Sequence, residues 1–261
     1  MNLDLTNKHA IVCGSSQGIG KAIAIELAQL GAHITLLARN RERLAQVKEE
    51  LAQQGNQIHH VLIADFSNPD SVKAAITQHV ATNPAHILIN NTGGPPAGPA
   101  AEATAEEFLA AYSAHLLCNH HLMQAVVPAM KETGFGRIIN IISTSVKAPI
   151  PNLGVSNTTR GAVANWAKTL ANELGPFGIT VNNVLPGLTH TGRLSSLIDS
   201  LARKNNRSTE EQQRIMEQTV PARRVAQPEE VAAAAAFLAS PAAAYINGIN
   251  LPVDGGRTPA L

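Results

Sequence analysis

The sequence predicts an α/β fold: a single doubly wound domain on a parallel sheet, with helices on both faces. Three observations lead there. Short apolar runs alternate almost to the end of the chain with segments whose apolar positions recur at helical spacing. The first run, 10–13, opens onto a glycine-rich turn and a helix, the strand–turn–helix order of a phosphate site. The 261 residues show no linker, repeat or low-complexity tail, so residues 1–261 read as one domain.

The elements follow in order. After strand 10–13 come Gly14-Ser15-Ser16-Gln17-Gly18-Ile19-Gly20, then a helix carrying Ile19, Ile23, Leu27 and Leu30, ended by Gly31. Residues 32–38 supply the second strand and close a βαβ unit. Residues 41–54 form a helix ended by Gly55, 58–64 a strand, 69–81 a helix and 87–90 a short strand. The prolines and glycines of 91–99 exclude a helix there. Thr104 caps a long helix to about residue 130; 137–142 is a strand, 143–154 a loop, 156–174 a helix and 179–184 a strand. Residues 188–220 are polar with weak periodicity and read as an inserted helical flap. A helix over 228–239 and a strand over 249–253 finish the domain.

Bulk properties narrow the function. Hydrophobic residues are 44% of the chain but aromatics only 3%, which argues against stacking on single-stranded nucleic acid. A net charge of +1 gives no electrostatic case for nucleic acid or a membrane surface. No apolar run reaches membrane-spanning length and the N-terminus lacks signal-peptide regions, so a cytoplasmic protein is expected. The two cysteines, Cys13 and Cys118, have no zinc or redox spacing and read as small buried hydrophobes; no metal site is expected.

The turn has the spacing G-x-x-x-G-x-G. Glycines let the backbone approach a ligand, and free N–H groups at the helix start face an anion. Inside a βαβ unit this points to a dinucleotide, bound by Gly14, Ser15, Ser16, Gln17, Gly18, Ile19 and Gly20. The second strand ends Ala38-Arg39, where an acid would hold the ribose hydroxyls of NAD and repel a 2′-phosphate. A guanidinium grips phosphate, so NADP(H) is favoured over NAD(H). The plainer reading of Arg39 is a solvated charge at a helix entry. Asp65 can take the adenine amino group, with Phe66 beside it, or cap the helix that Pro69 opens.

These residues, with Asn90-Asn91-Thr92-Gly93, Gly136–Asn140 leading to Ser143, Val181–Gly187 and Asn250–Gly256, resemble the short-chain dehydrogenase/reductase family over essentially the whole chain. The resemblance implies a seven-stranded Rossmann core, a nicotinamide cofactor, frequently a homotetramer, and cofactor contacts from Asn91, Gly93, Pro186, Gly187 and Thr189. Family members doing chemistry usually carry a serine, then Tyr-x-x-x-Lys, and an asparagine in the preceding long helix. Here Ser143 is kept; Ser156 stands at the tyrosine position, Arg160 at the lysine and His115 at the asparagine. The pattern resembles a divergent branch similar to 3-oxoacyl-carrier-protein reductases.

The replacements alter the proton path. A tyrosine titrates near ~10, a serine hydroxyl at roughly 15–16. Bringing the serine to neutrality needs about eight units, about 11 kcal/mol. Ser156 is therefore a poor acid or base, and serves either as a hydrogen-bond partner for a carbonyl or as its own helix cap. Arg160 can hold ribose hydroxyls or a substrate anion, or sit in a structural ion pair, but cannot yield a proton. His115 titrates near neutrality and can replace the missing donor, or act as a packing residue. Lys147, in the loop after Ser143, can serve as acid or anion anchor, or be solvated. The flap carries Arg193, Arg203, Lys204 and Arg207, which suit an anionic or acyl-thioester substrate or simply form a solvated face.

The expected activity is NADP(H)-dependent reduction of a small-molecule carbonyl, a ketone or 3-oxoacyl group, with an altered proton-donor set. The alternative is a non-catalytic nucleotide-binding sensor or scaffold; non-redox lyase or isomerase work is a third option. Alanine-rich helix faces at 104–130 and 156–174 suggest a homotetramer or homodimer.

Overall fold

Chain segments that are apolar at every position need cover on both faces, and the sheet supplies it. In the computed structural model, which describes residues 1–260, seven strands among the described residues pair in the order β3-β2-β1-β4-β5-β6-β7, all parallel. Leu261, the last position of the expected domain, lies outside the described residues. The strands are β1 (His9–Cys13), β2 (His33–Ala38), β3 (His60–Ile63), β4 (Ile87–Asn90), β5 (Gly136–Ile141), β6 (Ile179–Pro186) and β7 (Asn250–Val253). Strands β1, β4 and β5 are buried throughout.

One hydrophobic cluster joins the sheet to α1 (Gly18–Gln29), α2 (Arg41–Glu50) and α9 (Pro228–Ala239). The other joins its opposite face to α3 (Pro69–Val80), α5 (Cys118–Thr133) and α6 (Gly154–Leu174). Both cysteines are free and buried there, and burial pushes the Cys118 thiol up to about 12. The strand order runs outward in both directions from β1 and β4, so the carboxyl ends of these two strands flank a crevice.

Several elements depart from expectation for local reasons. Helix α2 ends at Glu50 rather than before Gly55. Gln57 pins the segment after it, accepting from the Gln54 N–H and donating to the Ala28 and Ala32 carbonyls at the end of α1. Strand β3 is four residues, because histidine rings take the ladder's place before it: Ile58 N–H donates to His33 Nδ1, and Ile34 N–H to His59 Nδ1.

The long helix expected from Thr104 is interrupted. Thr104 caps α4 (Ala105–Tyr112) in a capping box with Glu107, then a π-helical turn (Ser113–Leu117) precedes α5. Helix α6 starts at Gly154, two residues early. The Gly154 N–H donates to the Gly98 carbonyl, and a side chain at Gly154 would run into Ala100, so the glycine–proline loop is sewn to the helix start. The flap resolves into two helices, α7 (Gly192–Lys204) and α8 (Thr209–Gln218), capped by Thr191 and Ser208.

Candidate functional site

A cleft of about 1200 Å³ opens at the carboxyl edge of the sheet. Its first end is built by the turn after β1. Gly14 and Gly18 have φ of 60° and 57°, conformations that side-chain-bearing residues rarely adopt. A Cβ at Gly14 would lie 2.6 Å from the Asn91 carbonyl oxygen, and one at Gly20 would run into the Gly14 carbonyl. Gln17 makes no side-chain cap, leaving the first N–H groups of α1 for a ligand.

Beside the turn lie Arg39 and Arg43, both lining the cleft. Arg43 donates to Gln17 Oε1 at 2.9 Å. Arg39 stands 4.0 Å from Asp65, with 74% of its side chain exposed, a pair too loose to commit it. The Asp65 carboxylate accepts from the Ser67 N–H, which holds it below the usual carboxylate range. The helix cap is Asn68, not Asp65: its side chain accepts from the Ser71 N–H. Phe66 lines the cleft and packs into the core. A close-approach turn, free helix N–H groups and two arginines where an acid would exclude a 2′-phosphate fit a phosphorylated dinucleotide.

The other end gathers Ser143, Ser156, Arg160, His115, Pro186, Gly187, Thr189 and Arg193. The Ser143 hydroxyl accepts from the Ser145 N–H at 3.1 Å. Ser156 does not cap α6; Leu153 occupies that position without a side-chain bond. The Ser156 hydroxyl accepts from Arg160 Nε at 3.3 Å. Each serine thus takes a hydrogen bond from an N–H and keeps its own proton for an acceptor in the cleft.

Arg160 is not in an ion pair. Nine-tenths buried, it donates through Nη1 to the Ile142 carbonyl at 2.8 Å and the Ile141 carbonyl at 3.3 Å. Burial, then the neighbouring Arg193 charge, lowers its guanidinium to about 10. His115 sits in the π turn and is buried. Burial first, then the charges of Arg160 and Arg193, push its imidazole down to about 3. The expectation that His115 titrates near neutrality is overturned: it is a neutral ring and no proton donor in the imidazolium sense.

Three expected site residues do not line the cleft. Ser15 is fully buried, and its hydroxyl accepts from the Leu37 N–H, fastening the turn to β2. Gly20 acts by the absence of a side chain against Gly14. Lys147 follows the 3-10 turn Thr144–Val146 and is half-buried, outside the residues that line the cleft. The rest line it, including Ser16, Gln17, Ile19, Asn91 and Gly93. The Asn91 amide is engaged with the Cys13 and Gly14 carbonyls, so it braces the turn. A Cβ on Gly187 would meet the Asp254 backbone, so that glycine permits close strand-end packing.

Of the four flap cations only Arg193 reaches the cleft; Arg207 pairs with Glu211 instead. Arg193 donates to the Gly94 carbonyl at 2.7 Å and the Pro95 carbonyl at 3.0 Å, tying α7 to the glycine–proline loop. Arg43 escaped the sequence reading; its place three residues after the cap Asn40, in the first turn of α2, is the signal that would have found it. Both tyrosines, Tyr112 and Tyr245, are exposed and neither lines the cleft.

Comparison with known proteins agrees with the fold. A family model described as enoyl-(acyl carrier protein) reductase matches residues 14–258. The chain is 31% identical to the NADPH-dependent reductase BacG of Bacillus subtilis, over 98% of this chain and 100% of that protein. It is 34% identical to the 3-oxoacyl-[acyl-carrier-protein] reductase FabG of Vibrio cholerae, covering 97% and 98%. The crystal structure of L-sorbose reductase from Gluconobacter frateurii, complexed with NADPH and L-sorbose, superposes with a TM-score of 0.93 at 31% identity, over 100% of both chains.

Proposed function

The chain belongs to the short-chain dehydrogenase/reductase family, and from that premise we propose that it is an NADPH-dependent carbonyl reductase whose Tyr–Lys pair is replaced by two serine hydroxyls and a buried arginine. NADPH, when bound, supplies the hydride. The Gly14–Gly20 turn and the first N–H groups of α1 hold the pyrophosphate; Arg39 and Arg43 hold the 2′-phosphate. Similarity to NADPH-dependent reductases supports this cofactor.

The observation that carries the reading is the pair Ser143 and Ser156. Both line the cleft with O–H groups left to donate, and the second is backed by the Arg160 charge. Donors aimed at one oxygen stabilise the negative charge that develops as a carbonyl accepts hydride. The proton that completes the alcohol comes from water, because His115 is neutral and Arg160 keeps its protons. The protein works in the cytoplasm as a homo-oligomer. In support, no helix among the described residues is long and apolar enough to cross a membrane, and α4 and the π turn expose Leu109, Tyr112 and Leu117.

Purified protein should oxidise NADPH only when a carbonyl compound is added. Ser143→Ala should lower kcat/KM by about 10²–10³, the usual effect of removing one oxyanion donor, with NADPH affinity kept. NADPH binding without turnover on ketones, quinones or acyl thioesters would instead mark a non-catalytic sensor or scaffold.

A further inference from the structure

The reacting end of the cleft holds positive charge with no counter-charge. Arg160 is nine-tenths buried, and its partners are two backbone carbonyls and the Ser156 hydroxyl, all neutral. Its Nη2 makes no hydrogen bond within the described residues. Arg193, exposed in the first turn of α7 and lining the same cleft, is bonded only to carbonyls, those of Gly94 and Pro95. The ion pairs among the described residues involve neither arginine.

Two of the three cleft-lining acids are engaged elsewhere. Asp65 is at the β3 end beside Arg39, and Glu107 accepts from the Thr104 N–H in the α4 capping box. Glu106 lies exposed in the same first turn of α4. A buried cation is costly unless an anion compensates it. The dinucleotide cradle lies at β1, two strand spacings from β5, or about 10 Å. The 2′-phosphate cations lie one strand further still. The missing charge therefore belongs to the substrate.

Resting on the reductase reading above, we propose that the substrate is an oxo acid, its carboxylate received by Arg160 and Arg193 while its carbonyl oxygen meets Ser143 and Ser156. The carboxylate takes hydrogen bonds from Arg160 Nη2 and from Arg193, which gives up a carbonyl contact as the anion enters. The balanced reaction is oxo acid, NADPH and one proton giving hydroxy acid and NADP⁺. The carbonyl carbon is reduced by the hydride, and water delivers the proton to oxygen. Because Arg193 also ties α7 to the Gly93–Pro99 loop, the anion and the closure of the flap share one side chain.

The test uses matched probes on NADPH-loaded protein: a series of 2-oxo, 3-oxo and 4-oxo acids, the methyl ester of each, and acetoacetyl-coenzyme A. Binding is read by calorimetry and turnover by NADPH oxidation. At least one acid should bind tenfold or more tighter than its ester and be reduced with the higher kcat/KM. Arg193→Gln should remove that margin, costing the acid at least tenfold more affinity than its methyl ester; Arg160→Lys should narrow it. Esters matching or beating every acid, or the thioester outperforming them all, overturns the oxo-acid assignment while the reductase reading stands. Failure to bind NADPH overturns the reductase reading itself.

Discussion

At the residue scale, the chemistry turns on which lone pairs are already taken. Ser143 and Ser156 are weak acids, but each hydroxyl accepts an N–H bond and retains its own proton to donate. In the proposed reaction these poor proton donors serve instead as donors to the developing oxyanion. Arg160 adds charge without adding a proton source, since even lowered to about 10 it stays protonated at neutral pH. His115 pays for that neighbourhood: between two arginines and out of water, its ring is neutral. Residue type announced the loss of the tyrosine at position 156. It did not announce the silencing of His115, because that comes first from burial in the folded chain and then from the charges of Arg160 and Arg193, both distant in sequence.

At the element scale, β4 to β7 carry an asparagine ladder. Asn90, Asn140, Asn183 and Asn250 stand in register on adjacent strands. Each amide nitrogen donates to the next oxygen at 2.8, 2.9 and 2.8 Å. The aligned amides polarise one another and tie the four adjacent strands side by side. Asn140→Ala leaves the Asn90 Nδ2 and the Asn183 Oδ1 without partners. At about 1–3 kcal/mol for each orphaned group, the expected loss is about 2–6 kcal/mol, read as a lower denaturant midpoint with the m-value unchanged. A midpoint like that of the parent would contradict the ladder's role.

The strands and most helices were legible from apolar spacing, and the 228–239 helix and 87–90 strand match at both ends. The ladder was not, since four asparagines in four separated segments become neighbours only through sheet order. The π turn inside the expected long helix was also invisible, its residues being ordinary helix formers. The early end of α2 depended on Gln57 reaching back to α1.

At the scale of the whole molecule, the two edges of the sheet do different work. The carboxyl edge holds the cleft. The amino edge holds six of the ten histidines: His9, His33, His59, His60, His79 and His86. The His9 Nδ1 faces the Pro84 carbonyl and must carry a proton; its Nε2 then accepts from the Thr35 hydroxyl, which accepts from His79 Nε2–H. An extra proton on His9 breaks that chain. Burial, the first cause in each case, lowers His9 to about 4 and also lowers His59, His60, His79 and His86. As pH falls, the unfolded chain takes up protons first, so stability that is full above about 6.5 is lost between there and about 4. The melting temperature should drop from pH 7 to pH 5; a constant or rising value would contradict this arrangement.

The proposed NADPH site, with the Gly14–Gly20 turn on the pyrophosphate and Arg39 and Arg43 on the 2′-phosphate, underlies every step above. Calorimetric titration of the folded protein with NADPH and with NADH tests this most directly. The expected result is uptake of NADPH at least tenfold tighter than NADH; equal affinities, tighter NADH or no uptake of either would contradict it.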